Sequence, residues 1–354
     1  MLRVAHVPHS PYRSAAGPLV PELRRLGVDM RAYDFRTHHL SEDIDTNVIP
    51  IRRPELGEYG RAAWASLRYL ALIARADLVH WYRASPGFLP RRIDYRVISK
   101  LRKPGVVEWQ GSDIRNPAVE LSDNPVYKEL FLAQPELFAQ WGTTEKSLRL
   151  QAEFVGLDFG TVVPPGMWQY VAPELRDRTY LVQRAVDISG YEPAHPDQAT
   201  GKPIVAHAPS KQVIKGTGMV LQAVDQLEGE VDFDFRLIHG VSHAESTSLI
   251  SGCDIFVDQM VLGDYGIAAI EAMALGKPVV CYIKPSIAAV YDPTLPIVSA
   301  NPDTLADVLG ELISDEPLRL SLGREGRVYA EKFHSLQARA SALKAAYEAE
   351  LSRS

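Results

Sequence analysis

The sequence predicts an α/β protein built from two Rossmann-like, doubly wound domains, and three observations carry that prediction. Short apolar runs rich in Val and Ile alternate with helical patterns along the chain, the rhythm of parallel strands joined by crossover helices. At 354 residues the chain is longer than one hydrophobic core comfortably serves. Residues 189–203, SGYEPAHPDQATGKP, are rich in Pro, Gly and polar side chains and carry no usable periodicity, so they read as an interdomain linker.

In the first series, residues 2–7 are a buried strand and 17–26 a helix ended by Gly27, followed by a strand near 29–35. Residues 60–76 are helical, 76–82 (ADLVHWY) a strand, 93–101 a helix and 105–109 a strand. Helices follow around 125–139 and 143–154, then short strands near 159–163 and 180–182. The second series opens with a strand at 203–207, a helix at 217–227, a strand at 234–239, a helix at 245–251 and a strand at 255–258. A helix over 267–275, stopped by Gly276, leads into a strand at 278–283. Residues 302–314, 316–332 and 335–351 are helical, with no strand after them. The domains expected are 1–193 and 194–334, with 335–354 as a closing helix.

The composition narrows the function. With 38 Lys and Arg against 44 Asp and Glu the chain is acidic overall, which argues against a nucleic-acid binder. Residues 1–193 hold 25 cations against 23 acids and residues 194–354 hold 13 against 21. Seven cations stand between Arg83 and Lys103 against Asp94 alone, enough to meet an anionic surface or phosphorylated acceptor, or simply to form a solvated helix face. Cys253 and Cys281 lie in apolar runs, which favours free thiols in a reducing compartment. The first residues lack a signal-peptide pattern, and the apolar stretch 62–82 is interrupted by Arg68, Arg75 and Asp77. A cytoplasmic protein is expected. The excess of 27 Arg over 11 Lys points to a GC-rich bacterial source.

The most informative stretch is residues 263–280, GDYGIAAIEAMALGKPVV. Gly266 opens a helix whose first amides, on Gly266, Ile267 and Ala268, have no partner within the helix and form a ready diphosphate site. Glu271 stands inside the apolar segment IAAIEAMAL, where a carboxylate needs hydrogen-bond donors. A pair of ribose hydroxyls would serve; so would a neighbouring cation.

These residues resemble the GT-B fold retaining glycosyltransferases, in particular the glycosyltransferase family 4 type (glycosyl transferases group 1), whose signature is a Glu, seven residues and a second Glu. The match lies at Gly266, Glu271 to Ala274 and Gly276 to Val280. The resemblance implies two domains facing a central cleft, with Glu271 on the nucleotide ribose and the Gly266 turn at the diphosphate. The first Glu of the signature, which in the family touches the transferred sugar, falls at Gly263, beside Asp264.

Residues 205–224, VAHAPSKQVIKGTGMVLQAV, are similar to the family's strand, loop, Lys-Gly and helix element. There Lys215 and Lys211 are the diphosphate cations that would stabilise the leaving group, with Ser210 and Gly216 beside them. His207 stands where the family usually has Arg. The turn LIHGVSHAES resembles the segment beside the nucleobase, which puts Gly240 and Val241 at the base edge. In the first domain VVEWQGSDIR resembles the family's His-Gly-Ser-Asp turn, with Gln110 in the His position, next to Gly111, Ser112, Asp113 and Arg115. Gln110 and Asp113 are therefore catalytic candidates, although Asp113 would serve equally as a helix cap. In the loop after the first strand, Gly17 is the close-approach glycine, and His9, Tyr12 and Arg13 are candidate acceptor contacts that would serve equally as ordinary loop side chains. His80 suits a core or cleft position.

The resemblance implies glycosyl transfer from a nucleoside diphosphate sugar to a glycan, lipid-linked or small-molecule hydroxyl, with retention and with no cofactor beyond that co-substrate. No Asp-x-Asp motif stands out, so metal independence is expected. The residues VPHSPYRSAAG lack the glycine fingerprint after the first strand, which argues against a dehydrogenase. The alternative in another class is a catalytically silent relative that binds a nucleotide-sugar or a partner subunit, which Gly263 and Gln110 both allow.

Overall fold

The computed structural model describes residues 1–7, 18–32, 59–82, 89, 92–111, 113–141, 143–194 and 201–353. Along the chain these form β1 (Leu2–Val7), α1 (Leu19–Arg25), β2 (Val28–Ala32), α2 (Tyr59–Arg75), β3 (Leu78–Tyr82), α3 (Ile93–Lys100) and β4 (Gly105–Glu108). Next come α4 (Pro117–Asp123), α5 (Pro125–Ala133), α6 (Thr144–Val155), β5 (Gly160–Val163) and β6 (Thr179–Leu181). The later part holds β7 (Ile204–His207), α7 (Gln212–Lys215), α8 (Thr217–Leu227), β8 (Asp234–Leu237), α9 (His243–Ser251), β9 (Ile255–Val257), α10 (Ile267–Ala274) and β10 (Val279–Cys281). It closes with α11 (Pro285–Ala288), β11 (Val298–Ser299), α12 (Leu305–Ser314), α13 (Glu316–His334) and α14 (Leu336–Leu351). None of the described helices is long and apolar enough to cross a membrane.

Two compact units result: Met1–Asn116 with Trp141–Gln183 and Leu336–Ser354, and Pro117–Gln140 with Arg184–Ser335. In the first, a wholly parallel sheet runs β2-β1-β3-β4-β5-β6, with His6 opposite His80 and His80 opposite Val106. All five positions of β3 are buried, which is why LVHWY reads as a continuous apolar run rather than an alternation. Leu19, Val20 and Leu23 of α1 share one core with Ala340, Leu343 and Tyr347 of α14 and with Val4, Leu78, Val106 and Val162 of the sheet. Helix α14 is pinned at its far end by Glu350, which accepts from Tyr180 Oη at 2.6 Å and pairs with Arg178.

The second unit has a parallel sheet in the order β11-β10-β9-β7-β8. Ala269, Ala272 and Met273 of α10 pack with Tyr329 and Ala330 of α13 in one core, and α8 and α12 supply a second with Val205, Val257 and Val280. The close approach of α13 to α10 depends on Gly323, where an added Cβ would meet the carbonyl oxygen of Gly276 at 2.1 Å.

Three local expectations change. A single helix over 125–139 becomes α5 and a 3-10 turn over Pro135–Trp141, because the residue before a proline is driven out of the helical region and Gln134 sits at φ −144°, ψ 66°. Helix α4, which the sequence left unassigned, starts at Pro117, a residue that suits a first helical turn. The α4–α5 segment also packs with the second unit: Val126 joins the core of Val205 and Val257, and Asn124 Nδ2 donates to Val261 O at 2.8 Å. Lys284, fully buried, places Nζ 3.1 Å from Asp123 Oδ2 and 3.4 Å from Glu120 Oε2. Burial pushes the Asp123 carboxyl up, but hydrogen bonds from Ser286 and Lys284 outweigh it and hold the group below its ordinary value.

The contact division falls after Gln183, not after residue 193. Residues 184–194 pack on the second unit, where Ala194 N donates to Leu275 O at 3.1 Å and Ala194 O accepts from the buried Lys277. Residues 195–200 of the expected linker lie outside the described residues. In the basic stretch, Arg92 pairs with Glu153 at 2.7 Å and Lys103 Nζ donates to Ala76 O at 2.7 Å, while Arg96, Lys100 and Arg102 are exposed.

Candidate functional site

Strand order decides where a ligand fits. In an open parallel sheet the crevice lies beyond the carboxyl ends of the strands, where chain winding reverses. In the second unit that point is between β7 and β9. His207 and Val257 close these strands in register, and the residues just beyond them carry the candidates Ser210, Lys211, Lys215 and Gly266 together with Asp258.

Lys215 ends the one-turn helix α7, and Gly216, at φ +73°, lets the chain turn straight into α8. An added Cβ at Gly216 would also lie 2.8 Å from Met260 Cβ, so the position needs glycine twice over. The Lys215 Nζ is 2.6 Å from Asp258 Oδ1, and Asp258 Oδ2 accepts the Gly266 amide at 2.6 Å. A carboxylate thus already bridges the lysine and the first amide of α10. Ile267 and Ala268, half-buried, open the helix beyond it.

One turn along α10, Glu271 is 8% exposed. Its Oε1 accepts from His243 Nε2 at 2.7 Å and from Tyr191 Oη at 3.0 Å. Its Oε2 has no partner among the described residues. Gly240, at φ +73°, Val241 and the capping Ser242 form the turn that launches α9 at His243, with Gly240 and Val241 exposed. Ser210 and Lys211 are exposed, Lys211 as the residue that caps α7.

His207 has another task. Its Nδ1 donates to Val257 O at 2.9 Å, so Nε2 accepts the Thr217 hydroxyl at 3.0 Å, and the ring braces β7, β9 and α8. Burial pushes its pKa down and keeps it neutral. Gly263 is at φ +65°, and an added Cβ would meet Lys284 Cγ at 2.9 Å. The buried lysine stem fills the space that a Glu at 263 would need. Asp264 is turned inward, with Oδ1 accepting from Tyr291 Oη at 2.7 Å and from its neighbour Tyr265 N at 2.9 Å. The described residues contain no group of three or more His, Cys, Asp or Glu side chains placed to hold a metal ion.

In the first unit Gln110 and Asp113 follow β4. The Asp113 carboxylate accepts the amides of Gln110 at 3.1 Å, Gly111 at 2.9 Å and Ile114 at 3.2 Å, so it holds its own turn in shape. Gln110 Nε2 donates to Glu108, and Glu108 takes two 2.7 Å bonds from Arg339 Nη2 on α14. Burial pushes the Glu108 carboxyl up, but Arg339 and His80 prevail and hold it below its ordinary value. His80 is a core residue, with Nδ1 2.7 Å from Tyr347 Oη and Nε2 3.3 Å from Glu108. Gly17, Ser112, His9, Tyr12 and Arg13 lie outside the described residues.

The sequence did not single out Asp258, His243, Tyr191, Glu108 or Arg339. The available signal was an acid directly after each of two apolar runs, IFV before Asp258 and VV before Glu108, because a charge at a buried strand end requires a partner.

Residues 200–329 match the family described as glycosyl transferases group 1. An MMP alpha-(1->4)-mannosyltransferase of Mycolicibacterium hassiacum is 26% identical over 213 residues, a match spanning 52% of this chain and 50% of that enzyme. Among solved structures, a sucrose-phosphate synthase from Thermosynechococcus elongatus superposes with a TM-score of 0.62 at 15% identity, covering 100% of both chains. Anabaena HepE in complex with UDP gives 0.57 at 13% identity, covering 99% of this chain and 100% of that one. Residues 200–329 are therefore similar to the glycosyl transferases group 1 family, within a chain that shares the GT-B fold of these structures.

Proposed function

We propose that the protein is a bacterial cytoplasmic glycosyltransferase that moves a sugar from a nucleoside diphosphate sugar to an acceptor hydroxyl, with retention of configuration and without a metal. One observation carries this reading: at the winding reversal of one sheet, Lys215 and the amide that opens α10 converge on Asp258, and Glu271 stands one turn along the same helix. The cation and amides suit a diphosphate, and the carboxylate oxygen suits ribose hydroxyls on the nucleoside it carries.

As the glycosidic bond breaks, negative charge grows on the leaving diphosphate. Lys215 and the Ile267 and Ala268 amides would stabilise it, aided by Lys211 and Ser210. With retention, the departing phosphate oxygen lies on the face that the acceptor hydroxyl attacks and takes its proton, so no strong protein base is required. Gly240 and Val241 would lie along the base, and Gly17, Gln110 and Asp113 would receive the acceptor. HepE is described with UDP, and the mannosyltransferase is named for its sugar, which makes uridine nucleotides and mannosyl donors the first to try.

The test is a thermal-shift and calorimetry screen of UDP, GDP, TDP, ADP and CMP and their sugar conjugates, without metal, on the wild type, Glu271→Ala and Lys215→Ala. Stabilisation by one nucleoside diphosphate, lost in both variants, is the expected result. No stabilisation by any of them would sink the donor site. Binding with no donor consumed in the presence of any acceptor would favour the silent, nucleotide-binding relative, which the filled space at Gly263 allows.

A further inference from the structure

A carboxylate offers about four lone-pair positions, two on each oxygen. In Glu271 both partners among the described residues fall on Oε1: His243 Nε2 at 2.7 Å and Tyr191 Oη at 3.0 Å. Neither donor is loosely placed. His243 is the first residue of α9, whose start is set by Ser242 Oγ accepting from Glu245 N at 3.3 Å. The Tyr191 carbonyl accepts from Arg327 Nη1 at 2.5 Å, and the same nitrogen donates to Ala274 O of α10 at 2.6 Å, which ties the tyrosine to the helix that carries Glu271.

We propose that His243, with Tyr191, is a positioning residue that commits Oε1 of Glu271, so that Oε2 presents two open lone pairs to the two vicinal hydroxyls of a ribose and the site selects ribonucleoside over 2′-deoxyribonucleoside diphosphates. The inference rests on the donor-site reading above. The count of open lone pairs matches the count of hydroxyl donors. A ligand without the 2′-hydroxyl leaves one acceptor position of a largely buried carboxylate empty, and sites built around a substrate hydroxyl reject such analogues strongly. His243 also follows directly on the Gly240–Ser242 turn, so one residue links the segment proposed for the base to the group proposed for the ribose.

A purely structural role for His243 would satisfy Glu271 and affect both kinds of nucleotide alike. The ratio of affinities separates the two roles. Calorimetry on the full chain compares UDP with dUDP, GDP with dGDP and ADP with dADP, for the wild type, His243→Ala, His243→Gln and Tyr191→Phe. The wild type is expected to prefer the ribonucleotide by about 10-fold or more, as for a hydrogen bond to a charged group. His243→Ala and Tyr191→Phe reduce that preference to about threefold or less, and His243→Gln, which keeps an N–H donor, recovers much of it. If no nucleoside diphosphate binds the wild type, the donor reading falls and takes this inference with it. If ribonucleotides bind but the wild-type preference is absent, or is unchanged in His243→Ala, the positioning role is overturned while the donor site stands.

Discussion

The ammonium of Lys215 lies 2.6 Å from one carboxylate oxygen of Asp258, whose other oxygen holds the amide of Gly266 at 2.6 Å. The lysine and the opening of α10 are therefore positioned by an anion of the protein itself. Asp258 is almost wholly buried, so removing its cation strands a charge.

It follows that Lys215→Met loses about 3 kcal/mol of stability in urea denaturation, the scale of breaking a buried ion pair from one side. The double variant Lys215→Met with Asp258→Asn recovers most of that loss, since no charge is left uncompensated and the Asn carbonyl still accepts the Gly266 amide. Nucleoside diphosphate affinity stays low in both. Equal stability of the single and double variants would contradict the pairing.

Restoring the signature glutamate as Gly263→Glu destabilises the protein rather than improving it. The backbone is at φ +65° and the new Cβ would lie 2.9 Å from the buried Lys284 stem. A loss of about 2 kcal/mol or more is expected from strain and overpacking together, read from the urea midpoint at an unchanged slope. An unchanged midpoint would mean that the space at 263 is open.

Acid sensitivity has an identifiable source in His334. The ring is fully buried, with Nδ1 donating to Arg184 O at 2.7 Å and Nε2 3.1 Å from Tyr265 Oη, and burial lowers its pKa from 6.5 to about 4. The unfolded chain takes up the proton near 6.5 and the folded protein only near 4, so stability falls as pH drops through that window. Between pH 7.5 and 5 the contribution is about 2 kcal/mol. His207, also shifted down, acts in the same direction. Denaturation at several pH values should give a shallower loss for His334→Gln than for the wild type; parallel curves would refute the assignment.

In the first unit, Arg339→Met leaves Glu108 buried with weaker compensation. A loss of about 3 kcal/mol is expected above the ordinary carboxylate range. Glu108 is held below its usual value, so its contribution is present above the unfolded-state pKa and fades as pH falls through the lower folded value. The variant should therefore converge on the wild type in strong acid. A constant difference down to the acid transition would assign the effect to packing instead.

Much of this architecture is legible in the residue order. Runs such as LVHWY and IFV show strands buried on both faces, and IAAIEAMAL followed by Gly276 shows a buried helix with its stop, because burial imprints a local period that any window of chain reveals. The Gly266 turn and Glu271 are visible locally too, as a helix start and as a carboxylate inside an apolar segment, whereas Lys215 is picked out by the resemblance of residues 205–224 to the family's Lys-Gly element. Partner identity has no local period. Glu108 and Arg339 are 231 residues apart, Lys284 and Glu120 are 164, and Lys215 and Asp258 are 43. Those pairs exist because strand order sets β7 beside β9, because α14 packs in the first unit, and because α4 and α5 pack in the second. Spacing along the chain established which groups are costly to bury; only the packed fold decided which opposite charge or donor each would meet, since that depends on which distant strand and helix ends become neighbours.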